Sequence, residues 1–159
     1  MQKFLPQGLI SIGAFVCERV LREVDGVVSA IRMVDLFHVP PQSPPVINPS
    51  DGSETITLSP VRFEVLVILK AEPGYSVSHK VAIKLQDPTG SIVRVSRDLE
   101  VATSSRFGQE VAGGATVNAE LTFGVKHYGL YLLLVELDGE LVHRTPITLL
   151  RGAAPENTD

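Results

Sequence analysis

Alternation of apolar and polar residues with a period of two is the feature that most constrains the fold of this chain. Apolar side chains occupy every second position in three stretches, which are 63–69, 81–85 and 117–125. Successive side chains of a β-strand point to opposite faces of a sheet, so each stretch predicts a strand with one face on a core. The Val, Ile and Thr residues in them suit the pleated surface of a sheet.

Two further stretches, 65–69 and 130–135, are apolar on both faces, which is typical of strands that lie centrally in their sheets. The pattern predicts about nine strands in all. They are expected near 9–18, 27–37, 61–70, 77–86, 91–97, 99–104 and 115–126, with a hairpin across 130–150.

Turn-forming residues separate these strands. Asp25-Gly26 and Asp138-Gly139 are two-residue hairpin signals, because glycine accepts a positive φ at little cost. Pro88 fixes φ within a predicted turn over 87–90. Gly113-Gly114 predicts a loop.

The segment from Phe15 to Val24 fits two structures. Val16, Val20 and Val24 recur at helical spacing. The Asp25-Gly26 turn and the strand after it favour a hairpin instead.

Residues 40–60 contain six of the eleven prolines. Proline lacks a backbone donor and is excluded from central strands, so this segment predicts a long loop. We expect one domain over 1–151, with a disordered tail over 152–159 that offers no apolar anchor.

Charge and composition bear on the class of partner. Lys and Arg number 14 against 18 Asp and Glu, for a net charge of −4, and aromatic residues make up 6% of the chain. Nucleic-acid binding usually needs a basic patch, so no nucleic-acid partner is expected. The longest apolar runs are too short for a membrane helix, and no membrane partner is expected. The single cysteine, Cys17, fits a reducing compartment, and the sequence predicts a cytoplasmic protein.

Motifs for catalysis or cofactor binding are not found in the sequence. No serine lies in a nucleophile elbow, and no glycine-rich phosphate loop is present. The four histidines, His38, His79, His127 and His143, do not show the spacing of metal ligands. The sequence therefore predicts a protein that is not an enzyme and has no catalytic residues, metal or cofactor.

The string from His127 to Tyr131 is the most distinctive in the chain. A tyrosine at the position of Tyr131, at the start of an apolar strand, makes a corner hydrogen bond to nearby backbone in immunoglobulin-like sandwiches. We assign Tyr131 this structural role. His127 and Tyr128 are the candidate binding residues.

The order of these motifs resembles a family of small bacterial β-sandwich proteins of unknown function. The resemblance covers nearly the whole chain. It rests on a Cys-acidic-x-Val step at Cys17–Val20, the turn at Asp25-Gly26, the Pro-Gly turn at Pro73-Gly74, a D-P-x-G turn at 87–90, the G-x-Y strand at Gly129–Tyr131 and the hairpin at Asp138-Gly139. It implies a β-sandwich and transfers no activity.

The predicted fold is an all-β, two-sheet antiparallel β-sandwich of the immunoglobulin-like kind, with an added N-terminal hairpin. A closed barrel is the alternative. We expect a non-enzymatic interaction module that binds another protein, or itself as a homo-oligomer, through edge strands or loops. The alternative function is a small-ligand or carbohydrate-binding sandwich.

Overall fold

A computed structural model of the chain describes residues 5–24, 27–41, 46–47, 50, 54–55, 58–96, 98–104 and 110–152. These residues form strands and turns, and no helix. The strands are β1 (Leu9–Arg22), β2 (Val28–Met33), β3 (Leu36–Val39), β4 (Val46–Ile47), β5 (Glu54–Thr55), β6 (Ser59–Ala71), β7 (Ser78–Gln86), β8 (Ile92–Val95), β9 (Leu99–Ala102), β10 (Gly113–Val125), β11 (Gly129–Leu137) and β12 (Glu140–Arg151).

The strands form two large sheets, which confirms the prediction of an all-β fold with two sheets. Sheet A has the order β10-β6-β1-β2. Sheet B has the order β3-β12-β11-β7-β8, and β9 also pairs with β7. Strands β4 and β5 pair with each other. The expectation of purely antiparallel sheets is wrong at one place, because β3 runs parallel to β12.

The core lies between the inner faces of the two sheets. On β6 and β11, which lie inside their sheets, every second residue is buried, as the alternation predicts. Four aromatic rings connect the sheets in a continuous row. Phe37 packs against Phe63, Phe63 against Phe123, and Phe123 against Tyr131, with ring centroids 5.5, 6.0 and 5.7 Å apart.

Strand β1 changes partner at Cys17. Residues 9–17 pair with β6, whereas residues 17–22 pair with β2. The β1–β2 hairpin therefore leaves β6 beyond Cys17, and the Glu64 carboxylate bridges the opening by accepting a hydrogen bond from the amide of Val20 at 2.9 Å. Phe15–Val24 thus contributes a strand rather than a helix, since β1 continues to Arg22.

Three of the predicted turns lie within the described residues. Gly74, with φ of 76°, lies in the turn that the Tyr75 amide closes by donating to the carbonyl of Glu72. Asp138 and Gly139 have φ of 52° and 85° and join β11 to β12 in a tight hairpin. Gly90, with φ of 89°, donates its amide hydrogen to the carbonyl of Asp87. The fourth, Asp25-Gly26, lies outside the described residues.

Two boundaries differ from the sequence prediction. Gly113 and Gly114 belong to β10 rather than to a loop, since they pair with Ala71 and Lys70 of β6. The strand approaches β6 so closely that a side chain at 114 has no space. Pro60 belongs to β6 rather than to the proline-rich loop. Its missing donor is tolerated there because it is near the start of the strand and β1 has already left that edge.

The predicted strand over 27–37 is divided between the sheets. Residues 28–33 pair with β1 in sheet A, and residues 36–39 pair with β12 in sheet B. Val34 and Asp35 make the crossing. Most of the predicted loop over 40–60 and of the tail beyond Gly152 lies outside the described residues.

Candidate functional site

The residues singled out from the sequence lie together where β10 turns into β11. Tyr131 is buried and donates from its hydroxyl to the carbonyl of His127 at 2.7 Å. The hydroxyl of Tyr128 donates to the carbonyl of Pro40 at 3.2 Å, and the side chain of His127 is exposed. Tyr131 thus makes a corner bond of the expected kind, while a binding role for His127 and Tyr128 stays a prediction.

A carboxylate stabilises the neighbouring turn. Asp87 accepts hydrogen bonds from the Thr89 hydroxyl at 2.6 Å and from the amides of Thr89 and Ser91. These bonds favour the charged form, so the pKa of Asp87 lies below its ordinary value, the Thr89 hydroxyl being the largest cause. Every acceptor role of this carboxylate serves the turn itself.

A second polar cluster, which we call the relay, comprises Tyr75, His79 and Asp138. His79 is only 4% exposed. Its Nδ1 lies 2.7 Å from Asp138 Oδ2, and its Nε2 lies 3.0 Å from the Tyr75 hydroxyl. The rings of Tyr75 and His79 are stacked, with centroids 5.9 Å apart.

The fold brings the three relay residues together from two turns and one strand. His79 occupies a core-facing position of β7, in step with Val81 and Ile83. Asp138 lies in the β11–β12 turn, where its Oδ1 also accepts the amide hydrogen of Lys80 at 2.8 Å. Tyr75 follows the turn after β6, and its ring lies so close to Gly8 that a Cβ there would overlap it.

Hydrogen bonds from His79 and from the Lys80 amide hold the pKa of Asp138 below its ordinary value, the bond from His79 being the larger cause. A carboxyl with a lowered pKa stabilises the fold at pH values above its unfolded pKa of about 4, and that stabilisation is lost as the pH falls through the folded value. We therefore expect Asp138→Asn to flatten the acid limb of the stability profile.

Urea unfolding at a series of pH values below about pH 5 measures this effect. The wild-type protein is expected to lose more unfolding free energy on acidification than Asp138→Asn. Asn at this position keeps the positive φ, which asparagine tolerates well. Parallel acid profiles for the two proteins would show that Asp138 makes no such contribution.

The outer face of sheet A carries a cluster of exposed apolar side chains, which we call the arm face. It consists of Phe15 and Leu21 on β1 and Ile31 and Met33 on β2, which are 39%, 37%, 40% and 69% exposed. The register places them on one side, since Cys17 pairs with Met33 and Arg19 with Ile31. Contiguous apolar surface of this kind is typical of an interaction site.

Charged side chains lie on both sides of the β1–β2 hairpin. Arg19 lies among the residues of the arm face, is exposed, and makes no side-chain ion pair within the described part of the chain. Glu18 lies on the opposite side, where it pairs with Arg32 at 3.2 Å. Glu23 accepts a hydrogen bond from the hydroxyl of Ser29 at 2.9 Å, and Ser29 pairs with Leu21 on the side of the arm face. The apolar side chains of the arm face therefore surround Arg19, while the carboxylates of Glu23 and of Glu64, which pairs with Cys17, lie at its margins.

Cys17 lies on the same side of β1 and is fully buried. Burial, and to a lesser extent the charge of Glu64, raises the pKa of its thiol. A buried thiol with a raised pKa is a poor nucleophile and metal ligand. The described residues contain no cluster of three His, Cys, Asp or Glu side chains placed to hold a metal ion. Nor do they include a helix long and apolar enough to span a membrane.

Comparisons with known proteins give similarities to solved structures. No family model matches the chain, and no curated protein matches it. One of these structures is of the Pseudomonas fluorescens alkylpurine DNA glycosylase AlkC bound to DNA containing an abasic site analog, with 14% identity and a TM-score of 0.40. The match covers 58% of this chain and 26% of the glycosylase, so the chain spans about a quarter of that protein's length.

Two predictions from the sequence are wrong against this neighbour. We expected a non-enzymatic protein-interaction module and no nucleic-acid partner, whereas the similar structure is a DNA glycosylase in complex with DNA. Both predictions are withdrawn. A TM-score of 0.40 assigns no activity and no ligand to this chain.

Proposed function

We propose that this chain is a peripheral lipid-binding β-sandwich that lays its arm face on an anionic bilayer surface. The observation that supports it is the concentration of four exposed apolar side chains on one side of β1 and β2, with Arg19 among them. Apolar runs too short for a spanning helix led to the expectation of no membrane partner, but association with the surface of a bilayer needs no such helix.

The residues of the arm face have complementary roles in this proposal. Phe15, Leu21, Ile31 and Met33 enter the boundary between headgroups and acyl chains, where removal of apolar area from water supplies the binding energy. Arg19 keeps its guanidinium at the level of the lipid phosphates while its aliphatic stem lies along apolar surface. Glu18 is turned away from the bilayer and is neutralised by Arg32.

Co-sedimentation with vesicles of phosphatidylcholine and phosphatidylglycerol tests the proposal. We expect the double variant Ile31→Thr/Met33→Thr to bind about 30-fold more weakly, since it removes about 2 kcal/mol of apolar burial. Arg19→Gln is expected to weaken binding about fivefold, because one cation near an anionic surface contributes about 1 kcal/mol. Threonine retains the β-branched shape that suits a strand.

The matched control is Ile92→Thr/Val95→Thr, which alters two comparably exposed residues on β8 of sheet B. The control is expected to sediment like the wild-type protein. Wild-type protein that stays in the supernatant would overturn the proposal, as would equal losses in the arm-face and control variants. Binding to a DNA duplex without binding to vesicles would also overturn it.

We further propose the finer predictions from the sequence. The sandwich is of the immunoglobulin-like kind, which the Tyr131 corner bond supports, with the β1–β2 hairpin as its addition. It belongs with the small bacterial β-sandwich proteins that its motifs resemble, is not an enzyme, and works in the cytoplasm. Under this proposal the bilayer surface is the cytoplasmic leaflet, which is rich in anionic lipid.

A further inference from the structure

The relay has a defined hydrogen-bond direction. Asp138 is a carboxylate that only accepts, so the His79 Nδ1 atom at 2.7 Å carries a hydrogen and donates it. In neutral His79 the other ring nitrogen, Nε2, is then an acceptor. The Tyr75 hydroxyl at 3.0 Å therefore donates to Nε2.

Tyr75 differs in this respect from the other two tyrosines of the chain. The hydroxyls of Tyr128 and Tyr131 donate to the backbone carbonyls of Pro40 and His127, which do not take up a proton. The Tyr75 hydroxyl donates to an imidazole, which does. A nucleophile bonded to a base, with the base oriented by a third group, is the arrangement that activates weak nucleophiles.

We propose that Tyr75 is a site of covalent modification, where His79 and Asp138 activate the phenol toward an activated phosphoryl donor. Tyr75 is partly exposed and follows the turn after β6, whereas His79 behind it is buried. The side chain of Asp138, which is bonded to the other ring nitrogen of His79, is 48% exposed. This inference is independent of the lipid proposal, because it uses none of the residues of the arm face.

The modification step is balanced within the relay and its donor. The Tyr75 oxygen forms a bond to the tetrahedral phosphorus as the bond from phosphorus to the leaving group breaks, and the leaving group departs with that electron pair. The phenolic proton moves to His79 Nε2, and the resulting imidazolium is stabilised by the Asp138 carboxylate. His79 then releases the proton to solvent.

Benzenesulfonyl fluoride tests the proposal, because it presents a tetrahedral centre and loses fluoride in the same way. The rate of labelling at each tyrosine is followed by peptide mass spectrometry on the full chain. We expect Tyr75 to react at least about tenfold faster than Tyr128, which is also partly exposed, since a positioned general base contributes about 100-fold or more. Buried Tyr131 is expected to stay unlabelled.

Two variants separate activation from simple exposure. His79→Gln keeps an acceptor beside the Tyr75 hydroxyl but removes the base, so labelling of Tyr75 is expected to fall to the rate of Tyr128. Asp138→Asn keeps an acceptor for His79 and removes the charge, and a fall of about tenfold is expected. Melting temperatures, and the unchanged rate at Tyr128, establish that each variant is folded.

The pH dependence of labelling separates a positioned base from a structural contact. The wild-type rate at Tyr75 is expected to fall on acidification, because an imidazolium accepts no proton, and this fall should be absent in His79→Gln. The side chains bonded to His79 are those of Tyr75 and Asp138, while Lys80 and Glu100 pair at the next register position. Equal labelling of Tyr75 and Tyr128, or a Tyr75 rate unchanged in folded His79→Gln, would overturn the proposal.

Discussion

Replacing Phe63 by alanine is expected to lower the free energy of unfolding by about 3–5 kcal/mol. Phe63 is 1% exposed and lies inside the aromatic row, between Phe37 of sheet B and Phe123 of sheet A. Its removal leaves a cavity that both sheets border, and the strands are held by their ladders from closing it. The loss therefore includes the cavity as well as the buried area.

Urea denaturation measures the loss from Phe63→Ala. The matched control is Phe15→Ala, which removes the same ring from an exposed position on the outer face of sheet A. The control is expected to lose about 1 kcal/mol, as is usual for a change outside the core. If both variants lose the same amount, the aromatic row does not stabilise the packing of the two sheets.

Gly114→Val is expected to lower the free energy of unfolding by about 3 kcal/mol. A Cβ at this position would lie 2.5 Å from the carbonyl oxygen of Leu69 on β6. Because the obstacle is backbone in a paired strand, relief requires β10 to move away from β6. The β-branched side chain increases the overlap.

Thr116→Val is the control for Gly114→Val. Thr116 follows Gly114 on the same side of β10 and pairs with Ile68 of β6. Valine and threonine have nearly the same shape, so this change is expected to cost less than about 1 kcal/mol. A stable Gly114→Val protein with an unchanged melting temperature would show that β10 does not pack so closely against β6.

The strands were predictable from the sequence, because alternation reports directly which side of a strand is buried. The partition of strands between sheets was not. The apolar pattern continues from Val28 to Val39, yet β2 joins sheet A and β3 joins sheet B. A strand with one buried side shows the same alternation whichever sheet it joins. The sequence pattern therefore does not reveal that the chain crosses between the sheets at Val34 and Asp35. The parallel pairing of β3 with β12 is hidden for the same reason.

The cluster of Tyr75, His79 and Asp138 was not predicted, because its members come from distant parts of the sequence. The Asp138-Gly139 pair predicts a hairpin turn, and this turn alone accounts for an aspartate at position 138. Its second role, as the hydrogen-bond partner of His79, was therefore not predicted. The two residues are 59 positions apart, and neither position predicts the other. The sequence did indicate that His79 is buried, since it occupies a core-facing position in an alternating strand. A buried histidine there needs hydrogen-bond partners.

The corner at Tyr131 was predictable because its partner is close in sequence. The Tyr131 hydroxyl bonds to the carbonyl of His127, four residues earlier, and both lie in the distinctive segment from His127 to Tyr131. The arm face was not predictable. It combines side chains of β1 and β2, and which residues of the two strands share a side depends on their register.

The burial of Cys17 makes its thiol a probe of strand separation in the folded protein. It is the single thiol of the chain, it is 0% exposed, and it lies where β1 exchanges one neighbour for the other. An alkylating reagent reaches it only while β1 is separated from β6 or β2. The rate of alkylation in native buffer therefore reports how often β1 separates from β6 or β2. Equilibrium unfolding does not detect this local opening.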